Sequence, residues 1–330
     1  MTIELLSVQH VAAVEATKEL PWLVEELWPE EGVGFLAGHP KSCKSWMAID
    51  IALSVASQTP VVGKYTVRRG GPVLVFSAED SPSTVRARFA GMAAARGVDL
   101  NLAPVQLVLE NSLRLESNSD QARLRATVEE LRPVLLVLDP FVRMTSIDEN
   151  SAQEVSRVLA YLRDLQRSLG LAILVVHHVR KSAGNGGLAL RGSGDFWAWS
   201  DTNLYLARKQ AGLELSIEHR SASTPEPALL ELAADASGPY LCTRERDPAQ
   251  DTTTTLRDRV LSYLSAQPGE TRQDSIRDAV RARMQKVVDV LRELERAGDV
   301  ERTALGWHVV SDTESGETEA GSAETQPAKG

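Results

Sequence analysis

A doubly wound α/β domain built on a mostly parallel sheet is the fold this sequence predicts, and three observations carry the prediction. The stretch VGFLAGHPKSCKSWMAIDIALSVA, Val33 to Ala56, runs from an apolar strand through a tight turn straight into a helical segment. Further continuous apolar runs, such as Val73 to Phe76 and Val134 to Leu138, alternate with segments of helical spacing, the mark of βαβ units. Polar residues stand where these strands end: the turn after Ala37, then Glu79, Asp139 and His178. Ligands of open α/β sheets sit beyond that edge.

The elements follow in order. Residues 1–20 predict a short helical lead-in, with Val8, Val11, Val14 and Leu20 loosely on one face. PWLVEELWPEEG, Pro21 to Gly32, reads as a Trp-rich apron on the core. The first core strand meets GHPKSCKS, which spells G-x-x-x-x-C-K-S, one residue away from the phosphate-binding pattern G-x-x-x-x-G-K-[ST]. In that pattern the loop N–H groups and the positive end of the following helix wrap an anion. Gly38, Pro40, Lys41, Ser42, Cys43, Lys44, Ser45 and Trp46 are therefore the candidate nucleotide cradle. Lys44 would reach the β- and γ-phosphates, and the Ser45 hydroxyl would sit on Mg²⁺. Cys43 puts a Cβ close to the phosphates where the pattern has none.

GPVLVFSAED gives a buried strand with carboxylates at its end. Ser81 then caps a helix with Pro82 at its first position and Gly97 past its end. A strand near Val105 to Leu109 and a helix from Asp120 to Leu131 precede PVLLVLDPF, a strand ending in Asp139. Ser151 to Leu169 is a helix, with Val155, Val158, Leu159, Leu162 and Leu165 on one face and Gly170 closing it. LAILVVHHVRKS is the next strand. A Gly-dense loop, Ser182 to Gly194, leads through Trp197 to Asp201 into two more strands, NLYLARK and LELSIEHR.

Asp139 suits a Mg²⁺ ligand. Pro140 rather than an acid follows it, so a general base must come from elsewhere. Glu79 is the candidate, placed to orient a water at the γ-phosphate. Glu79 and Asp80 also fit an ordinary acidic helix N-terminus. His178 is a candidate γ-phosphate sensor, or simply a satisfied histidine at a sheet edge.

The C-terminal part changes character. TLRDRVLSYLSAQ, TRQDSIRDAV and MQKVVDVLRELERAG read as three helices, and GDVERTALGWHVV as a small β-wing. That is a winged-helix arrangement, with Gln285, Lys286, Asp289 and Arg292 facing outward from the third helix. Residues 252–310 hold ten Lys/Arg against nine Asp/Glu, so DNA contact and protein contact both stay open. The domain scheme is a lead-in over 1–32, the α/β domain over 33–245, the winged helix over 252–310 and a disordered acidic tail over 311–330.

Composition narrows the class. A chain of 330 residues, 43% hydrophobic, can bury a large core in more than one domain. No apolar run approaches the roughly 18 residues a membrane helix needs, and the first twenty residues show no secretory pattern. Cys43 and Cys242 are the only cysteines, which fits a reducing cytoplasm. A net charge of −9 argues against a strong non-specific nucleic-acid binder.

Together GHPKSCKSW, FSAED, LLVLDPF, DENSAQE, VVHHVRKS and LRGSGDFWAWSDTNLYLAR resemble the RecA-fold ATPases of the RepA and DnaB-like hexameric helicase group, in that family's motif order, from Pro21 to about Leu232. The resemblance implies a RecA-like fold, ATP and Mg²⁺ as cofactors, and Glu79 as base with His178 at the γ-phosphate. It also implies a homo-oligomeric ring in which Arg208 is the finger offered to a neighbour's nucleotide. DNA, single-stranded or duplex, is the implied partner, with Lys181 and Arg191 in or beside the DNA-facing loop. Two departures bear on activity: Cys43 in the phosphate loop, and a DNA loop with few basic residues. The functional classes that follow are a RepA-type replicative DNA helicase or replication-associated ATPase of a mobile element, a regulator using a slow ATPase switch with its winged helix, and a signalling relative without a DNA role.

Overall fold

The computed structural model describes residues 9–13, 20–110, 112–179, 190, 194–209, 212–236, 238–244, 256–267, 269–280, 282 and 284–310. The chain divides into two compact units, Met1–Arg246 and Asp247–Gly330. The first described element of the first unit is a 3-10 turn at Val11–Ala13, on which Val11 is exposed; most of the predicted helical lead-in lies outside the described residues. The Trp-rich segment is a two-stranded hairpin, β1 (Trp22–Val24) and β2 (Trp28–Pro29). It buries Leu23, Val24, Leu27 and Trp28 in the core, and the Trp28 indole N–H donates to Gly32 O at 3.1 Å.

The core elements are β3 (Val33–Gly38), α1 (Lys44–Ser57), β4 (Val73–Ser77), α2 (Pro82–Ala95), β5 (Val105–Val108), α3 (Asn118–Leu131), β6 (Leu135–Asp139), α4 (Ala152–Leu169) and β7 (Ala172–His178). After them come α5 (Asp195–Trp199), β8 (Thr202–Lys209), β9 (Gly212–His219), β10 (Ala228–Asp235) and β11 (Gly238–Arg244). Nine strands form one sheet in the order β11-β10-β9-β8-β3-β7-β6-β4-β5. From β8 to β5 all pairings are parallel; β9, β10 and β11 extend the sheet antiparallel.

Strand alternation explains the two layers. Leu36, Val75, Val137, Leu174 and Leu206 face α1 and α2, while Phe35, Phe76, Leu138, Ile173 and Val175 face α3 and α4. Buried on both faces, the central strands are apolar throughout. The caps behave as read: Ser81 Oγ accepts from Thr84 N at 3.2 Å, Pro82 opens α2, and Gly170 ends α4 with φ +63°. Trp197 to Asp201, expected as a plain lead into strands, is mostly the short helix α5.

Strands β10 and β11 are absent from the sequence reading. Each has only part of its length buried, ALLELAAD at its first three residues and GPYLCTR chiefly at Leu241, so neither shows a sustained period of two. No helix among the described residues is long and apolar enough to cross a membrane.

The second unit contains α6 (Leu256–Ser265), α7 (Gln273–Val280), α8 (Met284–Ala297) and a hairpin of β12 (Val300–Arg302) and β13 (Trp307–Val309). Its own core joins Val260, Leu264, Ile276, Val287, Leu291, Leu294 and Trp307. Gln285, Lys286, Asp289 and Arg292 are exposed on α8. The acidic tail lies outside the described residues.

Candidate nucleotide site

The strand ends converge as the topology requires. Register pairs Gly38 with His178 on β7 and with Leu206 on β8, and Ser77 with Asp139 across β4 and β6. One cleft of about 550 Å³ is lined by the loop from Pro40 to Trp46 together with Glu79, Asp80, Arg88, Asp139, His178 and Arg208. Lys181 and Arg191 lie outside the described residues.

Gly38 is required by its neighbours: a Cβ there would meet Leu206 O and Ser42 Oγ, each at 2.5 Å. The loop then turns through two left-handed residues, Lys41 (φ +64°) and Cys43 (φ +62°), the second being the N-cap of α1. Cys43 thus holds the backbone conformation for which the pattern uses glycine. The Cys43 side chain makes no cap hydrogen bond to α1, at the point where an anion gains most from the helix dipole.

Lys44 is 7% exposed and donates to Gly38 O at 3.0 Å and His39 O at 2.9 Å. Burial lowers its pKa, opposed by the nearby charges of Asp139 and Glu79. Asp139 is buried, and burial pushes its carboxyl up to about 6 despite a hydrogen bond from Ser45 and the charge of Lys44. Glu79 and Asp80 add to that rise by repulsion. Ser45 and Asp139 line the same cleft, and a carboxylate with a hydroxyl offers the hard oxygen donors that fit Mg²⁺.

The two acids after β4 have separate partners. Asp80 is gripped bidentately by Arg88, at 2.6 and 3.0 Å, and the Arg88 guanidinium lies 5.3 Å from the Trp46 ring centre. Glu79 keeps half of its side chain exposed and, among the described residues, accepts one hydrogen bond, from Arg143 Nε at 2.9 Å. Asp80 is therefore committed to packing, while Glu79 retains an oxygen for other chemistry. His177, next to the cleft histidine, is fully buried among Phe35, Phe141 and Phe196. Arg208, read by resemblance as a residue for a neighbour's site, donates to Lys41 O of its own loop at 3.0 Å and contacts Cys43 Sγ at 3.5 Å.

Arg88 and Arg143 were missed by the sequence reading. Arg88 shows only as one of several basic residues in α2, and Arg143 meets Glu79 only because β4 and β6 are neighbours in the sheet.

A parallel sheet ending in a Lys- and Ser-bearing loop, with an acid on the next strand but one, defines a RecA-like phosphate-loop NTPase. The chain belongs to the AAA domain family, whose model matches residues 2–184. No curated protein matches the sequence. Among solved structures, a DnaB-like replicative helicase described with its primase interactions is similar at 13% identity and TM-score 0.50, over 64% of this chain and 57% of that one. The KaiC-like protein PH0186 from Pyrococcus horikoshii OT3 aligns at 16% identity and TM-score 0.46, over 68% of this chain and 94% of that one. The RadB recombinase aligns at 17% identity and TM-score 0.48, over 66% and 92% respectively. At these identities the likeness is one of fold.

Proposed function

We propose that this protein is a Mg²⁺-dependent ATPase of the RepA type, a homo-oligomeric motor of DNA replication, with DNA as its partner. One observation carries the enzymatic part: a single cleft collects the loop lysine, a Ser–Asp oxygen pair and an acid with an open carboxylate oxygen. Lys44 and the α1 N-terminus bind the β- and γ-phosphates. Ser45 and Asp139 would hold a Mg²⁺ ion, which would supply positive charge against the phosphoryl group. Glu79, steadied by Arg143, orients a water and takes its proton. The water oxygen then bonds to the γ-phosphorus as the bond to the β–γ bridging oxygen breaks, which leaves ADP and phosphate. His178 sits at the same edge as the γ-phosphate sensor. ATP rather than another nucleotide is assigned by the family likeness, which also supplies the ring, and DNA rests on that likeness and on the DnaB-like fold.

The test pairs two variants of the full chain. Lys44→Ala loses ATP binding, whereas Glu79→Gln keeps it and hydrolyses on the order of 10²-fold more slowly. Wild-type turnover in Lys44→Ala overturns the assignment. Acceleration by single-stranded DNA supports a motor. Binding of duplex DNA without acceleration supports the second reading, a regulator with a slow ATPase switch. That reading is favoured by the three-helix and hairpin unit with its outward α8 residues, which we assign as a winged helix.

A further inference from the structure

Resting on the ATPase reading above, we infer that Arg208 completes the nucleotide site of its own chain rather than a neighbour's. Backbone register carries the inference. Leu206 lies opposite Gly38 in the parallel pairing of β8 with β3, and Leu206 packs in the layer that contains α1. Side chains two apart on a strand share a face, so Arg208 emerges on the α1 side, one step beyond the end of the β3 ladder. The phosphate loop occupies that position, and the guanidinium accordingly lines the cleft.

Its contacts agree with the register. Nε donates to Lys41 O, and Nη2 reaches the Cys43 thiol, on the two loop residues with left-handed backbone. The remaining N–H groups of this five-donor fork are those a terminal phosphate can use. The cleft already holds three carboxylates, Glu79, Asp80 and Asp139, and Arg88 is engaged with one of them. With Lys41 and Lys44, Arg208 offsets the charge an incoming triphosphate adds. As the β–γ bond breaks and charge moves onto the bridging oxygen, Arg208 stabilises it from within the chain.

A cis and a trans arginine behave oppositely when defective chains are mixed. Arg208→Ala lowers kcat by about 10³-fold, the scale known for arginines at a transferring phosphoryl group, and Arg208→Lys restores part of it. Mixing Arg208→Ala with Glu79→Gln restores nothing, because every chain lacks one of its own groups. Rescue on mixing overturns the inference, as does an Arg208→Ala protein with wild-type kcat. A fluorescent ATP analogue titrated against wild type keeps the two failures apart. No binding or no wild-type turnover counts against the ATPase reading, whereas normal turnover with rescue counts against the cis assignment alone.

Discussion

Replacing Asp50 by alanine is expected to be the most damaging single change in the layer that supports the phosphate loop. Asp50 is fully buried on α1, six residues after Lys44. One carboxylate oxygen accepts Val62 N–H at 2.8 Å, and the other is paired with Arg96 at the end of α2. Arg96 also donates to Ser54 Oγ at 2.7 Å and leaves only 14% of its side chain exposed. Removing the acid therefore strands a guanidinium and a backbone N–H in the interior. Breaking such a pair from one side costs about 3–5 kcal/mol. For a unit of this size that is a fall in Tm of roughly 6–20 °C. Calorimetry of the full chain with Asp50→Ala, Arg96→Met and the double variant reads both the cost and the coupling. The double variant should recover most of the loss, since an apolar pair needs no partner charge. The pH dependence has a definite sign. Burial raises the Asp50 carboxyl to about 6, although Arg96 and Val62 N–H oppose the rise. The folded chain then holds an extra proton above the ordinary carboxylate range. The proton-linked part of its contribution is fully present below about pH 4 and is lost as pH rises through about 6, while the pairing with Arg96 and Val62 N–H remains. A loss under about 1 kcal/mol in Asp50→Ala, as for a surface pair, would refute the reasoning.

The remaining predictions concern the loop and the metal position. Cys43→Gly should stabilise the chain by about 0.5–1 kcal/mol, because a left-handed L-residue costs about 1–2 kcal/mol and glycine loses part of that gain in chain entropy. Turnover should be kept or raised, and abolished nucleotide binding would assign the thiol a role that loop geometry does not supply. Asp139→Asn should weaken Mg²⁺-dependent ATP binding. Because burial lifts Asp139 to about 6 and a metal ligand must be deprotonated, the Mg²⁺ dependence in wild type should fade as pH drops through about 6. Titration of ATP binding against Mg²⁺ at several pH values checks this, and an equal fade in Asp139→Asn counts against Asp139 as the ligand.

How much of this was legible depended on how far apart the causes lie in the chain. Lys44, Ser45 and the loop could be read because strand, turn and helix are contiguous and their chemistry is local. Asp139 and His178 could be placed because each follows an apolar run at a strand end. Glu79 could be nominated, but its Arg143 contact spans 64 residues and depends on β4 lying beside β6. Asp80 could not be separated from Glu79 by sequence, since only the Arg88 fork distinguishes them.

The direction of Arg208 belongs to the same kind of hidden cause. NLYLAR shows where a strand ends, and any arginine at a strand end can be read as reaching outward. Whether it meets its own loop or another chain depends on which residue of β8 lies opposite Gly38, a matter of parity. A shift of one residue in that pairing would turn Arg208 to the α4 layer, away from α1. The backbone itself resists that shift. Gly34 admits Thr202 so closely that a Cβ would lie 1.6 Å from its carbonyl oxygen, and Gly38 admits Leu206 O at 2.5 Å. Two glycines four residues apart on β3, Gly34 and Gly38, thus hold β8 in register, and that register aims the arginine at the phosphate loop.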